Sequence, residues 1–158
     1  MERCSILRDA RVVPQRGDNS CLFHSLSYCL SYDGIVPSIH DYMSGFRLRE
    51  QICSYIRDNE DVVISISLDD QRTLSEAVGI DGFTCLSYCA KMLDRMEWGS
   101  VIEIATAAEM FLIGIRIYVP VPRKHYFTLL GSYRCIGFDS NSSEIYLLYT
   151  GFNQCTTL

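Results

Sequence analysis

The sequence predicts a single α+β domain spanning residues 1–158, in which residues 1–13 form an N-terminal extension. Apolar residues recur with the 3.6-residue period of helices through roughly the first two-thirds of the chain, and with a period of 2 from residue 113 onward. No repeat, low-complexity tract or linker rich in Pro, Gly and Ser divides the chain. Helices followed by adjacent strands are typical of a layered α+β domain with one core.

Two helices are predicted in the first 60 residues. The segment CLFHSLSYCLSY follows a Gly-Asp-Asn-Ser turn, and its apolar residues have helical spacing: Leu22, Leu26, Cys29 and Leu30. Residues 33–40 contain Gly34 and Pro37, which indicate a loop. The second helix covers roughly residues 39–59, with an apolar face formed by Phe46, Leu48, Ile52, Tyr55 and Ile56.

The middle of the chain contains one ambiguous segment and two further helices. DVVISISL fits either a short strand or an apolar connector leading into a helical turn. GFTCLSYCAKMLDRMEWG is predicted to be a helix that ends at Trp98–Gly99, with these residues in register: Phe83, Leu86, Cys89 or Ala90, and Leu93. In SVIEIATAAEMFLIG, Ser100 and Glu103 have the spacing of a capping box, and the following alanines suit close packing against a sheet.

The last third of the chain is predicted to be strands. IGIRIYVPV, HYFTLLG, SYRCIGF and SEIYLLYTGF are apolar or alternating, rich in β-branched and aromatic residues, and separated by Pro, Gly and Asn/Ser turns.

Composition limits the classes of function. The formal net charge is −5 and the basic residues are scattered, so nucleic-acid binding is disfavoured. The eight cysteines form no CxxC pair and no Cys/His metal spacing, and most are interpreted as small buried hydrophobes. No segment has the apolar length of a signal peptide or membrane span. We therefore expect a cytoplasmic or otherwise intracellular, thiol-reduced protein that needs no metal or cofactor.

Cys21 has two interpretations from its local sequence. In one, Asp, Asn and Ser cap a helix that continues with a buried structural cysteine. In the other, the helix N-terminus favours a nucleophilic thiolate, and the turn formed by Gly17, Asn19 and Ser20 directs backbone N–H groups toward the sulfur, as an oxyanion hole requires. Asp18 would then orient this turn through bonds to the backbone. Local sequence leaves both interpretations open.

A thiol nucleophile of this kind also needs a base, and none of the three histidines is an obvious partner. His24 lies one helical turn after Cys21, where local packing or capping is expected. His40 is in or near a loop, and His125 opens a predicted strand.

The run GDNSCLFHSLSY resembles the nucleophile motif of the ovarian-tumour (OTU) domain cysteine proteases, which are deubiquitinases. LREQICSYIRDN is similar to that family's second helix, YCAKMLDRMEWGSVIEIATAAEMF to its Met, Trp-Gly, Glu and Ala-rich segment, and IGIRIYV with EIYLLYTGFN to its closing strands. The resemblance covers roughly residues 14–158 in the family's order. It implies a papain-type fold with helices packed on a small, mostly antiparallel sheet.

The resemblance also implies roles for individual residues. Cys21 would be the nucleophile, and Asp18, Asn19 and Ser20 would shape the oxyanion site through their backbone. Residues 98–103 would support that site from beneath.

The family's histidine base follows the last strand, in a pattern like Asn-His-aromatic-Asp/Asn, and this chain has FNQCTTL there. Asn153 matches, but Gln154 replaces the His, Cys155 the aromatic residue and Thr156 the acid. Gln cannot transfer a proton near neutral pH, and Thr has no charge to stabilise an imidazolium. By analogy with serine triads, losing the base lowers the rate by about 10⁴ to 10⁶, and the lower part of that range suits a thiolate.

Two functions follow from the resemblance. One is a cysteine hydrolase that cleaves ubiquitin or ubiquitin-like conjugates, which the DNSC run favours; it requires His40 or His125 as base, or weak turnover without one. The other is a pseudoenzyme that binds ubiquitin or another partner without cleavage, which NQCTTL favours. An interaction module unrelated to ubiquitin is a third class, because fold does not determine function. The expected partner is ubiquitin or a ubiquitin-like protein. The protein itself is expected to be a monomer that binds neither nucleic acid nor membrane.

Overall fold

The computed structural model describes residues 12–15, 17–121, 123 and 127–151, together with the backbone of residues 154–157. The elements in this part of the chain are, in order, β1 Val13–Pro14, α1 Cys21–Tyr32, α2 Ser44–Asp58, β2 Val63–Ser67, β3 Asp70–Thr73, α3 Leu74–Gly79, α4 Cys85–Met92, α5 Val101–Phe111, β4 Gly114–Pro120, β5 Phe127–Arg134, β6 Glu144–Gly151 and β7 Gln154–Thr157.

The main sheet has five strands in the order β1-β7-β6-β4-β5, and β2 pairs with β3 in a separate hairpin. Pairs β1–β7, β6–β7 and β4–β5 are antiparallel, whereas β4 and β6 run parallel. The prediction of an α+β fold with a small, mostly antiparallel sheet is confirmed.

Helices and sheet enclose one large core. α1 packs against α2 and β7, α2 packs against α4 and α5, and α5 contacts β2, β4 and β5. The alanines of α5 are buried as predicted, since Ala105, Ala107 and Ala108 are each at most 2% exposed. No helix within the described ranges combines the length and apolarity that a membrane crossing requires.

The helical predictions hold for α1, α2 and α5 and fail in part for α4. α1 begins at Cys21, α2 starts five residues later than predicted, and Ser100 with Glu103 forms the predicted capping box of α5. α4 ends at Met92 instead of Trp98, and its buried face consists of Cys85, Tyr88, Cys89 and Met92. The predicted register is confirmed at Cys89 but was wrong at Leu86 and Leu93, which are 68% and 43% exposed.

The strand predictions need two corrections. DVVISISL does contain a strand, β2, but its partner β3, which has a polar sequence, was not predicted, and neither was the short helix α3 that follows. HYFTLLG and SYRCIGF do not form two strands, because Gly131 lies inside β5. There Ile117 pairs with Gly131 and Tyr118 with Leu129, so the glycine marks a β-bulge and not a turn.

Candidate active site

The turn before α1 places Cys21 at the first position of that helix, where the thiol is partly exposed. The Cys21 N–H donates to the Asp18 carbonyl at 3.0 Å, and the first helical turn contains no acidic residue. Helix N-termini carry a partial positive charge that favours an anion such as a thiolate. The position predicted for the nucleophile therefore has the backbone geometry that nucleophilic chemistry needs.

Asp18 orients this turn through the side-chain to backbone bond that the sequence suggests. Its Oδ1 accepts from the Ser20 N–H at 2.8 Å, and both carboxylate oxygens lie 3.1 Å from Nε2 of His24. The N–H groups of Ser20 and Cys21 are thus both bonded to Asp18. Within the described residues, the N–H groups of Asp18 and Asn19 have no acceptor.

The predicted support residues Asn19 and Ser20 take different positions. The Asn19 side-chain amide donates to the Met96 carbonyl, while the Asn19 side of the turn borders the cavity next to Cys21. Ser20 is 1% exposed, and its hydroxyl accepts a hydrogen bond from Arg49. Ser20 therefore anchors the turn to the protein interior, and its side chain does not line the cavity.

Arg49 of α2 is a buried residue of the site that sequence reasoning missed. The guanidinium is 1% exposed and donates to the carbonyls of Asn19, Met92 and Glu97 at 3.1, 2.9 and 2.6 Å. Its carbon also stacks 4.3 Å above the centroid of the Phe23 ring. Burial lowers the pKa of Arg49, yet arginine remains charged because its ordinary pKa is so high.

These bonds join the turn before Cys21 to the segment that follows α4, and they take up the carbonyl at the end of that helix. A signal for this role exists in the sequence: Arg49 lies three residues from both Phe46 and Ile52, within the apolar stripe of α2. A basic residue inside such a stripe is buried only where several acceptors surround it.

Cys21 opens into a cavity of about 50 Å³. The residues that line the cavity with it are Asp18, Asn19, Leu22, Trp98, Gly99 and Tyr149. A Cβ at Gly99 would lie 2.4 Å from Cδ2 of Leu22, so the segment after α4 approaches α1 as closely as only glycine allows. The cavity walls thus come from α1, from the residues before α5 and from β6.

Glu103 supports the wall that carries Trp98 and Gly99. Its side chain is fully buried and accepts from the Ser100 N–H at 2.9 Å and from the Tyr88 hydroxyl at 2.6 Å. Burial and the neighbouring Glu103 carboxylate raise the pKa of Tyr88, which keeps its hydroxyl protonated as a donor. These bonds determine where α5 begins, directly after the Trp-Gly pair.

The two described histidines contact polar side chains at opposite ends of α1. His24 is 3% exposed and directs Nε2 at Asp18. His40 lies against the other end of α1, where Nδ1 is 3.2 Å from the Ser27 hydroxyl and its ring contacts Tyr28. Ser27 follows Cys21 by six helical residues, a rise of about 9 Å. His125 lies outside the described residues.

The predicted triad end of the chain is described only for its backbone. Asn153 lies outside the described residues, and so do the side chains of Gln154 and Thr156. The backbone of β7 pairs with β6, with Gly151 opposite Gln154 and Leu148 opposite Thr156. β7 also packs against α1, and Tyr149 of β6 lines the cavity. This end of the chain therefore runs close to the turn that precedes Cys21.

The remaining described cysteines behave as the small buried hydrophobes that the sequence indicates. Cys29, Cys53, Cys85, Cys89 and Cys135 are each at most 7% exposed, and no disulfide joins any cysteine that the structure describes. Burial raises the pKa of Cys29 and of Cys53 to about 12. No cluster of metal-ligating side chains occurs among the described residues.

Comparisons with known proteins agree with this architecture. The family model of the OTU-like cysteine proteases matches residues 16–150, whereas no curated protein sequence matches the chain. The OTU domain of OTUD1 is 16% identical, with a TM-score of 0.63 over 93% of this chain and 81% of that chain. The viral OTU domain protease from Taggert virus is 18% identical, with a TM-score of 0.65 over 93% and 77% of the two chains.

A third similar structure contains a bound protein. The Hazara virus OTU bound to ubiquitin is 19% identical to this chain, with a TM-score of 0.63 over 93% of this chain and 79% of that chain. At these identities, the structural similarities show a shared fold.

Proposed function

Since this chain belongs to the family of OTU-like cysteine proteases, we propose that it is a deubiquitinase in which Cys21 is the nucleophile. The observation that carries the proposal is the position of Cys21, which is the first residue of α1 and borders a cavity between Trp98 and Tyr149. The substrate is ubiquitin or a ubiquitin-like protein joined to a lysine. Ubiquitin-bound members of the same fold support this choice of partner.

In the proposed reaction, the Cys21 thiolate attacks the carbonyl carbon of the modifier's C-terminal glycine. The C–N bond to the lysine breaks, the amine leaves with a proton, and a thioester to Cys21 remains. Water then attacks the thioester, releasing the carboxylate and restoring the thiol. The N–H groups of Asp18 and Asn19 face no other acceptor in the described residues, which suits them to the oxyanion formed in both steps.

The size of the cavity agrees with a substrate that ends in glycine. A cavity of about 50 Å³ with aromatic walls on two sides accepts an extended backbone and excludes larger side chains. Trp98 is 42% exposed, so its ring also presents apolar surface to an incoming chain. The C-terminal glycine that the reaction requires has no side chain to place there.

Proton transfer is the step for which this chain is poorly equipped. Gln154 stands where the family has a histidine, and the described histidines are bonded to Asp18 and Ser27. The helix N-terminus favours the thiolate without a base, so attack on the substrate remains feasible. With Gln154 at that position, protonation of the leaving amine and activation of water fall to His40 or His125, or proceed slowly without a base. We therefore expect acylation of Cys21 to be faster than turnover.

The sequence NQCTTL favours a second function, in which the same surface binds ubiquitin but Cys21 does not complete a cycle. Such a pseudoenzyme would keep the nucleophile turn, the buried Arg49 and the cavity for structural reasons. The two functions differ in whether a product is released, and not in whether ubiquitin binds.

The deciding experiment uses ubiquitin with an electrophilic C-terminus together with diubiquitin. We expect an adduct on Cys21 that is absent in Cys21→Ala, and cleavage of diubiquitin that is about 10⁴ times slower than is usual for complete triads. An adduct without any cleavage identifies a reactive thiol that lacks a base. Failure of both assays with retained binding supports the pseudoenzyme, and absence of binding overturns both functions.

A further inference from the structure

Asp18 and His24 lie three residues before and three residues after Cys21, and their side chains meet. Nε2 of His24 is 3.1 Å from Oδ1 and 3.1 Å from Oδ2 of Asp18. The contact joins the turn before the nucleophile to the first turn of α1. Because the two residues lie on either side of Cys21 in the sequence, the contact between them belongs to the local structure that holds this cysteine.

The imidazole of His24 has a fixed orientation. It is 3% exposed and meets the ring of Phe46 edge to face, with centroids 4.9 Å apart and planes at 84°. A Cβ at Gly45 would lie 2.1 Å from Nδ1 of His24, so the backbone of α2 packs directly on the ring. Rotation of the ring away from Asp18 would therefore require α2 to move.

The direction of the hydrogen bond follows from the acceptor. An ionised carboxylate only accepts, so Nε2 of His24 carries the hydrogen and donates it to Asp18. Asp18 is 40% exposed and would otherwise adopt several rotamers at the surface. With His24 on one side, its Oδ1 remains where the Ser20 N–H can donate to it at 2.8 Å. The shape of the turn thus depends on a donor from the protein interior.

We propose that His24 is a positioning residue, which holds the Asp18 carboxylate and through it the turn that presents Cys21. The importance of His24 for ubiquitin cleavage rests on the proposed function. The effect of His24 on the reactivity of Cys21 does not. His24 takes no proton from the thiol in this role. A histidine that only filled the core would be replaceable by any side chain of similar volume.

The test compares His24→Gln, whose amide can reach Asp18 as a donor, with His24→Leu, which has similar volume and no donor. The rate of alkylation of Cys21 by iodoacetamide, followed on the Cys21 peptide by mass spectrometry, is measured with the rate of adduct formation with electrophilic ubiquitin. We expect His24→Leu to lower both rates about tenfold and His24→Gln to stay within about threefold of the native rate. His40→Leu is the matched control, with a native alkylation rate.

Asp18→Ala provides an independent arm, because it breaks the contact from its exposed side and leaves the packing of His24 in place. We expect Asp18→Ala to be at least as slow as His24→Leu, because it also removes the acceptor of the Ser20 N–H. The double variant should be no slower than Asp18→Ala, since both changes remove the same contact. Thermal unfolding verifies that each variant is folded. If His24→Leu does not fold, His24→Asn replaces it, because the shorter amide does not reach Asp18.

Three results would overturn the inference. The first two are native alkylation of Cys21 in folded His24→Leu or His24→Asn, and additive losses in the double variant. The third is an equal loss in His24→Gln and His24→Leu, since a retained donor to Asp18 would then make no difference. If native protein alkylates rapidly but forms no ubiquitin adduct, the proposed function fails, and the alkylation series still decides the role of His24.

Discussion

In the proposed function, Gln154 and Thr156 take the positions of the family's histidine and acid. They lie on β7, whose backbone pairs with β6 and packs against α1. Neither side chain type takes up and returns a proton near neutral pH. On this assignment, the fate of a thioester on Cys21 depends on two residues, which can be replaced without changing the turn before Cys21 or the cavity beside it.

We predict that Gln154→His with Thr156→Asp raises diubiquitin cleavage by about 10²-fold or more, because an oriented general base contributes that much. The same double change in a Cys21→Ala background should remain inactive. A matched control moves the acid by one residue, with Thr157→Asp in place of Thr156→Asp, since successive residues of a strand face opposite sides of a sheet. A folded but inert double variant would show that β7 is wrongly aligned with the family.

The sequence predicted the parts of the site that form between neighbouring residues, and it did not predict the contacts between distant elements. The helix start at Cys21 and the Asp18 bond to the backbone are local, so the GDNSC run predicts them. Arg49 follows Asn19 by 30 residues and is bonded to carbonyls at residues 92 and 97, and no periodicity reveals such contacts. The contact between Asp18 and His24 also needed the structure, because α2 sets the orientation of the ring.

At the scale of elements, Arg49 connects α2 to the turn before α1 and to the segment after α4. We predict that Arg49→Met lowers the free energy of unfolding by about 3 kcal/mol, because the buried carbonyls that it served would lose their donors. Urea denaturation measures the change. Arg49→Met should also slow adduct formation at Cys21, because the turn that contains Asn19 and Ser20 loses its hydrogen bonds to Arg49.

The matched control is Arg57→Met on the same helix. Arg57 is 43% exposed and pairs with the neighbouring Asp58 among the described residues, so its loss should leave the free energy of unfolding nearly unchanged. Equal effects of the two substitutions on stability would contradict the role assigned to Arg49.

Elements with strong local signals were predictable, and those stabilised by tertiary contacts were not. α5 begins with a capping box, which Ser100 and Glu103 reveal by their spacing alone. α4 ends early at Met92, where Arg49 donates a hydrogen bond to the Met92 carbonyl. The sequence of the segment itself does not reveal this contact. Gly131 was interpreted as a turn because a bulge inside a strand and a break between strands share the same residue signal.

Over the whole molecule, thiol burial separates Cys21 from the other described cysteines. Cys29 and Cys53 are 6% and 0% exposed, and burial is the main cause that raises the pKa of each to about 12. Cys21, in contrast, is partly exposed at a helix N-terminus. The same fold therefore keeps structural thiols neutral while it offers one described thiol to solvent.

The buried thiols make folding stability depend on alkaline pH. Because the pKa of Cys53 rises from 9.0 to about 12 on folding, the unfolded chain loses this proton first, so stability is complete below pH 9 and falls as pH rises toward 12. Between pH 9 and 10, we predict a loss of about 1 kcal/mol from this thiol in urea denaturation under reducing conditions, read as the difference from Cys53→Ala. Cys53→Ala should be less stable at pH 8 but have a shallower decline, because alanine does not titrate. An equal decline in both proteins would mean that Cys53 is not protected from ionisation by the fold.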